Sequence, residues 1–222
     1  LYKKINKKAV LDAALSCAHC SMCYQALPSL TMSGKFVETC PAGLYFNYES
    51  YYSPGRNELA RAILQNGSSI RNSEKLQEIL FSCTTCGACE INCRYINDVN
   101  VLPVHITESL RAILYHQGVK PLPNQILFDK RTKETNNPYG ETTERNRWLI
   151  EQREKNPDTA QNLYFVGCTS SYRLTSIAKA SVNILSHIGE DFAISSEEIC
   201  CGSPLIRTGQ LDEVPRLVEN NI

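Results

Sequence analysis

The sequence has 222 residues, enough for one large domain or two small ones, and its hydrophobic fraction of 42% allows a packed core. Lys plus Arg and Asp plus Glu number 23 each, and this balance argues against a surface that binds nucleic acid or acidic lipid. No apolar run is long enough to span a membrane, so we expect any membrane contact to be made through a partner. The 11 cysteines, without a secretory signal, indicate a reducing cytoplasm and bound metal rather than disulfides.

The first predicted element is a short helix within residues 2–16, which leads into a cysteine-rich loop. The loop, residues 17–23, has the sequence Cys-Ala-His-Cys-Ser-Met-Cys. A fourth cysteine, Cys40, stands after an insertion at 24–39 that we expect to be an irregular loop. Three cysteines at this spacing can bind three corners of a cubane iron–sulfur cluster.

Further helices are predicted around a second cysteine-rich stretch. One begins at Ser53-Pro54, by capping and by proline in the first turn, and extends over residues 53–67. Another covers residues 72–83, and a third covers 104–116. Since there is little strand signal, we predict that residues 1–118 form an all-helical domain.

The second cysteine-rich stretch, residues 83–93, has the sequence Cys-Thr-Thr-Cys-Gly-Ala-Cys-Glu-Ile-Asn-Cys. In such runs the fourth cysteine commonly binds a second cluster rather than its own. If this exchange holds, one [4Fe-4S] cluster is bound by Cys17, Cys20, Cys23 and Cys93. The other is then bound by Cys83, Cys86, Cys89 and Cys40. Gly87 would let the backbone aim amide protons at sulfur. His19 is a candidate donor to sulfur in the first loop, although a lone histidine at such a position more often faces solvent.

Zinc and disulfides are the alternatives to iron–sulfur clusters. Structural zinc takes four ligands, usually as two separated pairs, and three closely spaced cysteines suit it poorly. The C-x2-C-x2-C spacing offers awkward disulfides, and no signal peptide indicates an oxidising compartment. We therefore favour iron–sulfur clusters.

The composition changes after residue 118. Residues 119–161 are rich in proline and charge and are predicted to be a linker with one helix near 145–155, docked on a neighbouring core by Trp148. From residue 162 the order is strand, helix, strand, which predicts a parallel βαβ unit. Its cysteines would lie at the carboxyl ends of strands, where such sheets place ligands. They are Cys168, Cys200 and Cys201.

With these motifs placed, the chain resembles the iron–sulfur subunits of heterodisulfide reductases. In the same respects it resembles those of anaerobic glycerol-3-phosphate dehydrogenase and glycolate oxidase. The paired cysteine runs are similar to the family's helical ferredoxin domain, and residues 137–140, with Arg145 and Trp148, are similar to its linker. Gly167-Cys168, followed after 31 residues by Cys-Cys-Gly at 200–202, resembles the first half of the family's CCG motif.

The resemblance implies a mainly α fold: a two-cluster α-helical ferredoxin domain at 1–118, a linker at 119–161, and the start of an α/β CCG domain at 162–222. The family's full motif closes with another C-x2-C roughly three dozen residues after the cysteine pair. The sequence ends before that position, so either a longer protein or a truncated gene is indicated. We favour a longer protein, because a βαβ unit alone buries its sheet poorly. The resemblance also implies that Cys168, Cys200 and Cys201 can bind a third cluster with catalytic function; the alternative is that they pack as small hydrophobic residues.

The primary hypothesis is an electron-transfer subunit of a heterodisulfide reductase-like oxidoreductase complex. Single electrons would pass through two clusters to a CCG cluster that can reduce a disulfide. An alternative is a relay subunit that carries electrons from a flavin dehydrogenase to a membrane quinone carrier. A third hypothesis is a zinc-bound assembly scaffold. The expected partners are a flavoprotein or ferredoxin donor and other subunits of a redox complex. We expect a cytoplasmic location, peripheral to the membrane where a partner is anchored there, in an anaerobic host.

Overall fold

The computed structural model describes residues 5–66, 73–97, 101–149 and 159–222. The chain divides into two compact units, one formed by Leu1–Pro123 with Ile206–Leu211 and the other by Asn124–Leu205 with Asp212–Ile222. The described residues are mostly helical, with a few very short strands. The predicted fold class is confirmed. No helix within the described ranges combines the length and apolar character needed to cross a membrane.

The first unit is a bundle of helices around one hydrophobic core. Its helices are α1 (Lys7–Leu15), α2 (Pro41–Phe46), α3 (Ser53–Asn66), α4 (Glu74–Phe81), α5 (Ala88–Asn97) and α6 (Pro103–Tyr115). The core is built from apolar faces of α1, α3, α4 and α6, and Ala14, Leu80 and Leu110 are completely buried there. Side chains cap two of these helices: Ala9 N–H donates to Asn6 Oδ1 (3.1 Å), and Leu76 N–H donates to Ser73 Oγ (3.1 Å).

Several local predictions for the first unit need correction. Ser53 does not cap a helix from outside; it is the first residue of α3. Within the insertion expected to be irregular, strands β1 (Gln25–Ala26) and β2 (Val37–Glu38) pair antiparallel. Helices α2 and α5 were not predicted. The expected ends of two helices at Gly67 and Asn72 lie outside the described residues.

The second unit contains the predicted parallel pair of strands. Strands β3 (Asn162–Leu163) and β4 (Phe192–Ala193) are parallel and are connected through helices α8 (Cys168–Tyr172) and α9 (Thr175–His187). Helix α11 (Val214–Asn221) also belongs to this unit, and α10 (Ser203–Thr208) continues into residues 206–211 of the first unit. Trp148 packs against a small core with Val166, Ala178, Val182 and Ile194, as predicted.

The linker prediction was only partly right. Helix α7 (Pro123–Thr135) lies inside the segment expected to lack regular structure there. Of the helix expected near 145–155, Arg147–Leu149 form a single 3-10 turn, and residues 150–158 lie outside the described part of the chain. The strand predicted from residue 162 spans only Asn162–Leu163, and Leu163 is exposed. The domain boundaries at residues 118 and 161 stay a prediction.

Candidate iron–sulfur and cysteine-rich sites

The first cysteine loop follows α1 and turns through two left-handed residues, His19 (φ 52°) and Ser21 (φ 63°). Such backbone conformations are costly for residues other than glycine and often mark functional sites. The loop ends at the buried Cys23. Burial raises the pKa of the Cys23 thiol to about 12, and the charges of Cys17, Cys93 and Cys20 act in the same direction. The structure therefore brings together all four cysteines of the first predicted set.

The second set lines one cavity in the first unit. Its walls include all four predicted cysteines, Cys40, Cys83, Cys86 and Cys89, among mostly small or apolar residues. Cys40 immediately precedes α2, whereas Cys89 lies in the first turn of α5. Burial raises the pKa of the Cys89 thiol to about 12, with added contributions from Cys83, Cys23 and Cys86.

Backbone amides donate to two sulfurs of this set. Gly43 N–H donates to Cys40 Sγ and Thr85 N–H donates to Cys83 Sγ, both at 3.4 Å. Thr85 has a left-handed φ of 51°, and the predicted conformational freedom of Gly87 is used at a φ of 83°. The amide that reaches sulfur in this loop is therefore that of Thr85. Hydrogen bonds of this kind stabilise thiolates and adjust cluster potentials.

The two sets adjoin each other near Ser53. Its hydroxyl is buried and has no hydrogen-bond partner among the described residues. It nevertheless lies close enough to lower the pKa of both Cys23 and Cys89, against the larger effect of burial. An unsatisfied buried hydroxyl beside two thiols is a ready donor to thiolate sulfur.

The residues present fit cubane clusters by their chemistry. Each set offers four thiols, and the high pKa values of Cys23 and Cys89 mean that metal must displace protons to bind there. Among the described residues, no three Cys, His, Asp or Glu side chains converge on a point that could hold a single metal ion. Thiolates of an iron–sulfur cluster bind different iron atoms, so they need not converge on one point.

His19 has other partners than sulfur. Its Nε2 atom lies 3.3 Å from Glu58 Oε2 and 3.3 Å from Arg61 Nη1. Glu58 and Arg61 are themselves paired at 3.0 Å on α3. The side chain thus belongs to a charged group at the protein surface.

The second unit brings Cys168, Cys200 and Cys201 together. Cys168 begins α8 immediately after Gly167, whose φ is 77°. Hydrogen bonding to Cys200 lowers the pKa of Cys168 to about 7 and that of Cys201 to about 6. The same hydrogen bonds raise the pKa of Cys200, which also accepts from Gly202 N–H at 3.4 Å. Cys200 therefore links the other two thiols, with Cys168 on one side and Cys201 on the other.

A buried ion pair supports this trio. Arg145 Nη1 lies 2.7 Å from Glu198 Oε1, and Arg145 Nη2 donates to Cys168 Sγ at 3.2 Å. Glu198 also accepts from the backbone amides of Val166 (2.7 Å) and Gly167 (2.9 Å), which precede Cys168. Residues expected to be a linker thus form part of the site.

Sequence reasoning did not identify the roles of Arg145 and Glu198. A signal was available for Glu198, because it is a carboxylate two residues before Cys200 in a stretch that ends with the apolar Ile199. Burial of such a residue indicates a partner. The identity of the partner, 53 residues away in the sequence, required the structure.

Two protein families match the chain. Residues 13–96 match the 4Fe-4S dicluster domain, and residues 162–222 match the cysteine-rich domain called CCG. The first match supports two [4Fe-4S] clusters, and the second is consistent with a further cluster.

Curated relatives cover most of the chain. It is 30% identical over 212 residues to one subunit of the dihydromethanophenazine:CoB–CoM heterodisulfide reductase of Methanosarcina mazei, covering 93% of this chain and 51% of that protein. The same subunit from Methanosarcina barkeri is 31% identical over 216 residues, with 96% and 51% covered. One subunit of the fumarate reductase (CoM/CoB) of Methanothermobacter marburgensis is 32% identical over 207 residues, with 92% and 38% covered.

The chain spans about half the length of the two heterodisulfide reductase relatives. No solved structure matches it significantly. The named relatives are parts of reductases that consist of several subunits.

Proposed function

Since this chain belongs to the heterodisulfide reductase-like iron–sulfur proteins, which join a 4Fe-4S dicluster domain to a cysteine-rich domain, we propose that it is an electron-transfer subunit of an oxidoreductase complex. Iron–sulfur clusters pass single electrons, and two of them in one helical domain form a relay. The observation that carries this proposal is the cavity lined by four cysteines from separate parts of the chain, beside a second set of four.

The ligand sets are proposed as exchanged between the two runs. The first set is Cys17, Cys20, Cys23 and Cys93, and the second is Cys83, Cys86, Cys89 and Cys40. Two observations support these sets. Charges of other cysteines raise the pKa values of Cys23 and Cys89, and all four cysteines of the second set line one cavity. Helix α5 carries both Cys89 and Cys93, one turn apart, so their side chains lie on one face of the helix.

Cys168, Cys200 and Cys201 are proposed to bind a third cluster with catalytic function. Such a cluster would supply single electrons, and reduction of a disulfide consumes two electrons and two protons and yields two thiols. Arg145 is placed to stabilise negative charge on the Cys168 sulfur, because its guanidinium is buried and donates directly to that atom. Glu198 keeps the arginine in that position.

The domains are proposed at 1–118, 119–161 and 162–222. A flavoprotein or ferredoxin is proposed as the electron donor, and other subunits of a redox complex are proposed as partners. The protein is proposed to be cytoplasmic and to contact a membrane only through an anchored partner. The absence of a strong net charge, with 23 basic and 23 acidic residues, leaves binding to such partners to local surface patches.

A second candidate function keeps the relay without disulfide chemistry. The similarity to part of a fumarate reductase over 92% of the chain indicates that this arrangement serves more than one reductase. In that case the subunit carries electrons between a flavin dehydrogenase and a membrane quinone carrier. A complete CCG motif in the full-length protein favours disulfide reduction, and its loss favours the plain relay.

Metal analysis of the full-length protein, purified without oxygen, tests the proposal. About eight iron atoms and eight acid-labile sulfides per chain indicate two clusters, and about twelve of each indicate three. Low-temperature electron paramagnetic resonance (EPR) during a redox titration should show distinct one-electron signals. Stoichiometric zinc without sulfide would contradict the proposal and favour a zinc-bound scaffold.

A further inference from the structure

Two arginines of the first unit are almost completely buried. The exposed fraction is 3% for Arg56, near the start of α3, and 2% for Arg111, on α6. Arginine is rarely buried without a partner, because removing its charge from water is costly. The partners of these two side chains are therefore informative.

Both guanidinium groups donate to neutral atoms. Arg56 donates to the carbonyl oxygen of Ile79 (3.1 Å) and to Ser82 Oγ (3.4 Å). Arg111 donates to the carbonyl oxygens of Leu80 and Cys83, the latter at 2.6 Å. These four acceptors lie in the segment 79–83, which leads into the second cysteine run. Arg111 Nη1 also donates to the carbonyl oxygen of Arg207 at 2.5 Å.

Neither arginine has a carboxylate within 4 Å among the residues that the structure describes. Glu108 acts on Arg111 from a greater distance, and it lies 3.8 Å from the partly exposed Arg207. Burial raises the pKa of Glu108, and the charges of Arg207 and Arg111 oppose this rise. Within the described part of the chain, the two buried positive charges thus have no carboxylate in direct contact.

Both arginines adjoin the cysteines of the second set. Arg56 lines the cavity that holds Cys40, Cys83, Cys86 and Cys89. Burial lowers the pKa of Arg111 to about 10, and the charge of Cys83 opposes this effect. A cluster held by four thiolates is an anion, and each reduction adds one negative charge to it.

The surroundings of the first set differ. The arginine beside its loop, Arg61, is partly exposed and is paired with Glu58 at 3.0 Å. Of the described arginines in this unit, the two that are buried are Arg56 and Arg111. A partly exposed, paired charge is screened by water and by its partner, whereas a buried charge acts through a lower dielectric.

We propose that Arg56 and Arg111 are the counter-ions of the cluster bound by Cys40, Cys83, Cys86 and Cys89, and that they make it the more easily reduced of the two. An electron then leaves the reduced first cluster, which is oxidised, and enters the oxidised second cluster, which is reduced. No bond is formed or broken in this step. The inference rests on the proposed function, because it requires both clusters.

The test is an EPR-monitored redox titration of the full-length protein, purified without oxygen. The two signals are assigned with Cys20→Ser and Cys86→Ser, each of which alters one set. In the unsubstituted protein the signal altered by Cys86→Ser should have the higher midpoint potential. The opposite order would overturn the proposal without any arginine variant.

Arg111→Gln removes the charge and keeps an amide that can donate to the carbonyl oxygens. At the original midpoint, the reduced-to-oxidised ratio of the second cluster should fall about tenfold, which equals about 59 mV for one electron. The first cluster should keep its midpoint, and Arg111→Lys should restore most of the shift. Equal shifts of both clusters, or no shift of the second, would overturn the proposal.

Arg61→Gln is the matched control, since it removes a partly exposed guanidinium that is paired with Glu58 beside the first loop. It should shift neither signal.

Iron and sulfide analysis distinguishes failure of the proposed function from failure of the proposed role of the arginines. Absence of the clusters from the unsubstituted protein refutes the proposed function, whereas two clusters with the wrong order of potentials refute only the role of the arginines.

Discussion

The side-chain amide of Asn92 donates to the backbone carbonyl oxygen of Cys23 at 3.1 Å. The same nitrogen donates to Thr39 Oγ1 at 3.2 Å. One buried residue on α5 therefore contacts the end of the first cysteine loop and the residue before Cys40. These contacts hold the two cysteine runs against each other, which is the arrangement that exchanged ligand sets require.

Replacement of Asn92 by alanine should weaken this junction. Loss of the donor leaves the Cys23 carbonyl oxygen unsatisfied, at a cost of about 1–3 kcal/mol. We expect the variant to lose iron to a chelator faster than the unsubstituted protein, measured by the decay of cluster absorbance. Asn124→Ala, at an exposed position, is the control and should not change the rate. Equal decay in both variants would show that the amide does not support the junction.

Ser53→Ala should affect both clusters, unlike Arg111→Gln. The hydroxyl lies near Cys23 and Cys89, which belong to different proposed sets. Removing a donor to thiolate sulfur destabilises the reduced cluster, so both midpoint potentials should fall. Redox titration measures this. Ser16→Ala, whose hydroxyl donates to the Asp12 carbonyl oxygen instead, should leave both potentials unchanged.

Glu198→Gln should destabilise the second unit. It leaves the buried Arg145 without its carboxylate, and breaking a buried pair typically costs about 3–5 kcal/mol. Denaturant unfolding can be followed by fluorescence of Trp148, which packs in the same unit. Combining Arg145→Met with Glu198→Gln should cost less than the sum of the single changes. Strict additivity would contradict the importance of the pair.

The thiols should differ in reactivity in protein prepared without iron. The pKa of Cys201 is lowered to about 6, and this side chain is exposed. Its thiolate is therefore present above about pH 6, and its alkylation by iodoacetamide should slow as the pH falls through that value. Cys23 and Cys89, with pKa values raised to about 12, should stay protonated and slow. Mass spectrometry of labelled peptides measures each site, and a Cys201 rate that rises only near pH 9 would contradict the lowered pKa.

Most of the correct predictions came from the spacing of the cysteines. It indicated iron–sulfur chemistry and the two cluster sites because ligand geometry is local and imposes a short repeat. Helix α5 was not predicted because it overlaps the second cysteine run, whose ligand spacing is typical of a loop. In the structure, Cys89 and Cys93 are four residues apart on that helix.

Long-range pairing could not be predicted. The contact of Arg145 with Glu198 joins residues 53 positions apart, and neither local propensity nor periodicity reports such a contact. Similarly, Ser53 precedes a proline, and serine is a common capping residue. In the structure, however, its hydroxyl is buried beside two sets of thiols. Tertiary packing decided both roles.

Helix α5 has a consequence for how the protein acquires its metal. Because one turn of this helix supplies a sulfur to each proposed cluster, filling either site orders the segment on which the other depends. Maturation is then cooperative, and molecules carrying a single cluster should be rare intermediates. Oxygen damage at one site should likewise release the inorganic contents of both.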